Sequence, residues 1–338
     1  MGGWEIYCAI CGSTFSSQVD MDPEGTDEEY YRYEVLKDCN LEWLDKVCAL
    51  GINPDVSGND KSFVTGVGHY WDCGQIDVSR GDDPNVPFYN GASDIPMTAY
   101  HDFSEIGLRH VFPFHTICYQ DILQRCIGQQ SPDQIKRDVL FEVMENLNGG
   151  QYVRLQLSYG QPEPLAEQVW HHPRGEESLV VNPVTIPDLD SDLDLIMNSL
   201  DKKARPDRNP PGGDIFSKLP VELRHEIFEL LPAGSILALK AASSTMHTTT
   251  LRAELWKQRL RREIPWLWEI HDVDVFQSQY FEGKTSKLLL DIEKKSKYTS
   301  ENDDYIFGLA NRRRIWGVCE QIRTQYFEKL GGISNTDS

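Results

Sequence analysis

Long apolar runs are missing from this 338-residue chain. No stretch approaches the ~18 residues a membrane-spanning helix needs, so none is expected. The opening Met1-Gly2-Gly3-Trp4-Glu5-Ile6 has neither a basic segment nor an extended apolar core, so no secretion signal is expected. Gly2 does not make a myristoylation motif, because position 6 is Ile rather than Ser or Thr. Basic side chains are scarce in the first part of the chain. Residues 1–200 hold 33 acidic and 11 basic residues, whereas residues 201–338 hold 20 and 22. So acidic a segment repels phosphate backbones, and no nucleic-acid partner is expected. Arg259–Arg262 and Arg312–Arg314 read as solvated helix faces. Motifs of catalysis are missing as well: no Gly-x-Ser-x-Gly, no phosphate-binding glycine loop, no His-Glu-x-x-His. His171 and His172 are adjacent and would point apart on extended chain, so they read as loop residues. No internal repeat indicates a solenoid or propeller.

What is present falls into two signals, the first a helical pattern over Asp214–Ile270. Pro220 fits the first position of a helix, having a fixed φ and no N–H to leave unpaired. Behind it Leu223, Ile227, Leu230 and Leu231 recur at helical spacing. Pro232-Ala233-Gly234 breaks that helix, and Ser235 reads as the cap of a second one carrying Ile236, Leu239 and Ala242. Met246–Thr250 is too rich in threonine to continue it comfortably. A third helix holds Leu251 and Leu255 and stops at Pro265. Three short helices cannot hide all these leucines among themselves. Each fully buried leucine contributes roughly 2 kcal/mol, so leftover apolar surface invites a partner.

This order of residues resembles the F-box motif: Leu219-Pro220-x-Glu222-Leu223, then Ile227, Leu231-Pro232, Leu237 or Leu239, and Leu255-Trp256. The chain departs from the family near the end of the second helix, where Met246 stands in place of an aromatic. The resemblance implies docking on the Skp-type adaptor of a cullin-RING ubiquitin ligase. Ile215, Leu219, Pro220, Leu223, Ile227, Leu231, Pro232, Leu237, Leu239, Leu255 and Trp256 would be the adaptor-binding residues.

The second signal is cysteine. Eight cysteines without a secretion signal point to a reducing compartment, cytoplasmic or nuclear, and to thiols or metal rather than disulfides. Cys8-Ala9-Ile10-Cys11-Gly12 has the form of a zinc knuckle. Far downstream, Phe114-His115-Thr116-Ile117-Cys118 places His115 and Cys118 at i, i+3, expected on the first turn of a helix running through Cys126. A knuckle plus two donors on a helix N-terminus is the arrangement of a treble-clef-type site, and Cys₃His is a common structural zinc set. Cys73 or His110 could replace one member. Cys39, Cys48, Cys126 and Cys319 read as core thiols.

The expected fold class is α+β. Residues 1–200 form a mixed domain, 201–213 a linker, 214–270 the F-box-like module and 271–338 a C-terminal helical extension. In the first domain, Leu41–Cys48 is expected as a short helix ending at Gly51, and Ser62–Ile76 as strands and turns. Ser131-Pro132-Asp133-Gln134 caps a helix through Leu147. Val153–Leu157 alternates as a half-buried strand, and Leu179–Val181 reads as another. Asp188–Asp194 lacks the glycine and terminal glutamate of a calcium loop and leads into a helix expected at 193–200. The apolar stripe Ile315, Cys319, Ile322 and Tyr326 must pack on the module's third helix or on the N-terminal domain.

A Cys-x-x-Cys-Gly, a Phe-His-x-x-Cys and a late F-box together resemble a group of fungal F-box proteins, which brings no client with it. The expectation is a non-enzymatic substrate-recognition subunit that docks on the adaptor, and through it on cullin, and presents a client protein. A non-ligase interaction scaffold and a zinc hydrolase in residues 1–200 are the alternatives.

Overall fold

A computed structural model describes residues 5–58, 60–71, 73–87, 94–99, 110–148, 154–189, 191, 193, 213–251, 253–270, 282–300 and 304–336. The expected linker 201–213 and helix 193–200 lie outside these residues, Gly213 and Leu193 excepted. The chain divides into two units, residues 1–186 with 298–338, and residues 187–297. The fold class is α+β, with the F-box-like segment wholly helical.

In the first unit, β1 (Met21–Asp22) and β2 (Tyr31–Arg32) form a short parallel pair, followed by α1 (Tyr33–Leu36). The main sheet is antiparallel and centres on β3 (Val47–Ile52). On one side β3 pairs with β4 (Ser62–Val64) and, at Val47, with β5 (Gly68–Tyr70). Next come β6 (Gln75–Ser79) and β7 (Asp94–Thr98). β3 also pairs with β8 (Phe112–His115), with Val47 opposite His115. Val47–Leu50 was expected as helix. Its continuous apolar run is instead a strand buried on both faces, Val47 through Leu50 all being sealed. Gly68 has a packing reason: a Cβ there would lie 1.9 Å from the Asp77 carbonyl of β6.

A π-helical segment, Cys118–Leu123, follows β8 and runs into α2 (Gln124–Ile127). Ser131 caps only a 3₁₀ turn, accepting from the Asp133 N–H at 3.4 Å. Ile135 is extended, and α3 (Arg137–Asn148) begins after it with Val139, Val143 and Leu147 buried. Two expected strands are not strands. Residues 154–158 are irregular, although Leu155 is buried, and Glu177–Leu179 is a 3₁₀ turn.

The second unit holds α4 (Val221–Leu230), α5 (Ala233–Ala242), α6 (Ser244–Thr248), α7 (Ala253–Glu263) and α8 (Glu282–Lys295). α5 starts at Ala233 behind Pro232, ahead of the expected Ser235 cap. The break comes earlier than expected and the threonine-rich stretch is partly helical: Ser243 turns extended, its Oγ caps α6 by accepting from the Met246 N–H at 3.0 Å, and Met246–Thr248 lie within that helix.

The last helix, α9 (Phe307–Thr336), returns to the first unit, so the C-terminal extension expected at 271–338 is divided. The reason is its stripe. Ile315, Cys319, Ile322 and Tyr326 are all buried, and α9 packs on α2, α3 and the π-helical segment. Tyr326 Oη also accepts from the Lys136 N–H at 2.9 Å. No described helix is long and apolar enough to cross a membrane.

Candidate metal centre and docking face

The knuckle turns because Gly12 takes a left-handed φ of 73°, which a side chain would resist; a Cβ there would also meet the Tyr159 ring at 2.8 Å. Gly12 N–H donates to the Cys8 carbonyl at 2.8 Å, closing the turn. Ala9 N–H donates to the Pro113 carbonyl of β8 at 2.9 Å, laying the knuckle beside that strand. His115 is the last residue of β8 rather than the first of a helix, and Cys118 opens the π-helical segment three residues on. A strand end, a helix start and a knuckle thus deliver four donors to one place.

The donor atoms of Cys8, Cys11, His115 and Cys118 all lie within 4.8 Å of one another, and all four residues are fully buried. Cys11 Sγ is 3.3 Å and Cys118 Sγ 3.9 Å from His115 Nδ1. Such a cluster can hold a metal ion. Of the rival donors, Cys73 is exposed, and His110 pairs with Glu145.

The surroundings suit ionised sulfur. Cys8 Sγ accepts from the backbone N–H groups of Cys11 and His115, each at 3.4 Å, and Cys11 Sγ accepts from the Ser13 N–H at 3.4 Å. His115 is oriented from behind. Its Nε2 faces the Thr14 carbonyl at 2.9 Å, so Nε2 carries the proton and Nδ1 presents its lone pair to the sulfurs. Phe15 and Trp43 hold the ring at centroid distances of 4.9 and 4.6 Å. Burial raises the Cys11 and Cys118 thiols. At Cys11 the contacts with Cys118 and Cys8 outweigh burial and hold the thiol well below its ordinary value. Burial and the Cys11 contact push Cys118 well above. Cys11 and Cys118 therefore share a proton rather than ionise together, and a bound dication would let both ionise.

Two arginines expected on a solvated face are part of this interior. Arg312 and Arg314 are buried, and Arg259 in the second unit is buried as well. Arg312 donates from Nε to the Pro183 carbonyl at 2.6 Å. No local pattern marks this, because a buried arginine and a solvated one have the same spacing on a helix. Glu177 was likewise unmarked among many carboxylates. It is fully buried, and its two oxygens take the Arg32 fork at 2.8 and 2.7 Å.

In the second unit the helical stripe faces outward. Ile215 is 75% exposed, Leu230 84% and Leu223 50%. Pro220 and Pro232 are exposed, while Leu219, Ile227, Leu231, Leu237 and Leu239 are half-buried. Leu255 is a correction: it is buried with Phe228, Ile236, Met246, Leu251 and Leu260 as the unit's own core, not on an outer face. The side chain of Trp256 lies outside the described residues. Pro220 sits one position earlier than expected, as the N-cap of α4 rather than its first helical residue.

The real core residue of α4 is Phe228, which no apolar stripe through the leucines includes. Lys240 Nζ lies 5.5 Å from its ring centroid. Arg259 closes the C-terminus of α4, donating to the Phe228 carbonyl at 2.6 Å and the Glu229 carbonyl at 3.2 Å. Asp214 ties the start of the unit to α6: its carboxylate accepts from Phe216 N–H, Ser243 Oγ and Thr245 N–H at 3.0, 2.6 and 2.7 Å. The Ser243 hydroxyl, followed by these N–H groups, holds the Asp214 carboxyl well below its usual range.

Short helices around a small core, with Ile215, Leu223 and Leu230 left exposed, make up this segment. Residues 216–258 match the F-box domain family, so the chain carries an F-box domain, whose members generally bind Skp-type adaptors. Neither the curated proteins nor the solved structures return a match to the chain.

Proposed function

We propose that the protein is a substrate-recognition subunit of an SCF-type cullin-RING ubiquitin ligase. Its F-box docks on the Skp-type adaptor, and residues 1–186 with 298–338 bind the client. The observation that carries the reading is the open leucine stripe of α4 in a segment that matches the F-box family. Ile215, Leu219, Pro220, Leu223, Ile227, Leu231, Pro232, Leu237 and Leu239 form the docking face, and Trp256 belongs with them as an expected adaptor-binding residue. The chain supplies proximity and orientation, and ligation chemistry belongs to its partners. A cytoplasmic or nuclear location goes with that role.

The four-donor cluster binds zinc, and the zinc is structural. Three thiols and one imidazole are the donor set zinc favours, and four protein donors complete its tetrahedron. That leaves no position for a hydrolytic water, which argues against the hydrolase alternative. Cys8, Cys11, His115 and Cys118 would hold the ion, which would pin the knuckle to β8 and to the helix after it.

The test is co-purification of the full chain with adaptor and cullin. Leu219→Ala with Pro220→Ala should abolish recovery of both while the protein stays soluble. Unchanged recovery overturns the docking reading, and recovery of other proteins without cullin favours the scaffold alternative.

A further inference from the structure

Arg314 is fixed deep in the first unit, and all its described hydrogen-bond partners are neutral. From α9 it donates to the Cys11 carbonyl at 2.7 Å and the Tyr159 carbonyl at 3.1 Å. It also contacts Ser13 Oγ at 3.4 Å and takes Asn311 Oδ1 at 2.9 and 3.2 Å. No carboxylate is among these partners, and the side chain is buried. A guanidinium keeps its charge everywhere in a protein, and an unpaired buried charge is among the costliest groups a fold can hold. The neighbouring Arg32 solves this problem with Glu177. Arg314 has no such acid.

What lies beside it is the cysteine cluster. Its NH1 holds the carbonyl of Cys11, and Ser13, which its NH2 reaches, donates its own N–H to Cys11 Sγ. A divalent metal on three thiolates and a neutral imidazole leaves one net negative charge in a sealed interior. One buried cation without an acid stands against one buried anion without a base.

We propose that Arg314 is the counter-charge of the metal–trithiolate centre. The centre and α9 are therefore bound together electrostatically: metal on the knuckle strengthens the seat of α9, and α9 strengthens the hold on the metal. The reciprocity is a matter of linkage, since each must change the other's affinity by the same factor. Residues about 300 positions apart in sequence thus share one charge balance. The inference rests on the zinc reading above, and the experiment separates the two.

Zinc affinity is measured on the full chain by competition with a coloured chelator, alongside the visible spectrum of the cobalt-substituted protein. Wild-type protein that folds with no bound metal defeats the zinc reading itself. If wild type binds one zinc, Arg314→Gln should weaken binding by roughly ten- to a hundredfold. Arg314→Lys, which keeps the charge but loses the fork, should recover most of that loss. Equal losses in the two variants, or wild-type affinity in Arg314→Gln, overturn the role of Arg314 while leaving the zinc site standing.

The second arm changes the centre instead. Cys118→His makes a neutral Cys₂His₂ set, so Arg314→Gln should cost much less affinity in that background than alone. Additive losses would mark Arg314 as a mere clamp on carbonyls and overturn the proposal. Should Arg314→Gln fail to fold by itself, the same background decides: recovered folding supports the charge balance, and continued failure overturns it.

Discussion

Leu223→Asp, set against Phe228→Ala, separates docking from folding within one helix. The two residues lie five positions apart on α4, yet Leu223 is 50% exposed and Phe228 fully buried. Burying a whole leucine is worth roughly 2 kcal/mol, so sealing the open half of Leu223 against a partner contributes about 1 kcal/mol. A carboxylate in its place must also be dehydrated on docking, which costs on the order of 2 kcal/mol or more. The combined loss of about 3 kcal/mol weakens adaptor binding by at least about a hundredfold. Folding should lose no more than the already covered half of Leu223, about 1 kcal/mol. An acid in the first turn of a helix is even favourable toward its dipole. Phe228→Ala removes an aromatic from the centre of the unit and should cost about 3–5 kcal/mol of its stability. Isothermal titration of the full chain with purified adaptor reads the first effect, and urea unfolding followed by circular dichroism reads the second. Wild-type affinity in Leu223→Asp, or a loss of binding only in step with unfolding, would refute the assignment of that face.

Three further outcomes are expected. Cys8→Ser or Cys118→Ser should empty the metal centre and strip much of the ~10 kcal/mol that structural zinc supplies, which metal analysis and thermal melting would register; a melt equal to wild type would count against the centre. The Glu177 carboxyl is pushed up by burial, but the Arg32 fork and the Arg32 and Gly175 N–H groups outweigh this and hold it below its ordinary value. Its stabilising contribution is therefore complete above about pH 4.3, the unfolded glutamate value, and is lost as pH falls through the lower folded value. Glu177→Gln should flatten that acid limb of the stability curve by removing the carboxylate from the Arg32 fork; an unchanged limb in a urea titration across pH would show that the pair does not govern it. Finally, Arg259→Met leaves the Phe228 and Glu229 carbonyls without their donor and should destabilise the second unit by roughly 1–3 kcal/mol, with adaptor affinity per folded molecule unchanged; a neutral melt would mean water replaces the guanidinium.

Much of the metal centre was legible because its chemistry uses rare residues at fixed spacing. Cys8 and Cys11 with Gly12, and His115 with Cys118, stand out against any background, and the structure brings all four together. The path between them was not legible. His115 ends a strand and the helix begins after it, a boundary that no local pattern fixes. Leu41, Leu44, Val47 and Cys48 fall at helical spacing, yet Val47–Ile52 is a central strand, because the continuous apolar run from Val47 to Leu50 suits burial on both faces of a sheet. The buried charges were hidden for another reason. Burial of Arg314 and Glu177 is decided by contacts across hundreds of residues, and only at that range do their partners become visible.

The leucine stripe of α4 is legible as apolar surface the module cannot cover, but which residues serve the core instead is not. Helical periodicity identifies an apolar face, and the usual inference is that this face looks into the core. Here Leu223 and Leu230 look out, while the core is served by Phe228 on another face and by Arg259 capping the helix end. A helix with two apolar faces on a unit this small has one more than its own fold can cover. The period alone could not say which face would be left over. The polar fittings decide it: Asp214 pins the start of the unit to α6, and Lys240 and Arg259 converge on Phe228 and the end of α4, so the inner face is fixed from three sides. The leucines are left over because nothing in the unit is built to receive them. The interior of this unit is closed by Phe228, Leu255 and their neighbours, and Leu223 and Leu230 stay exposed.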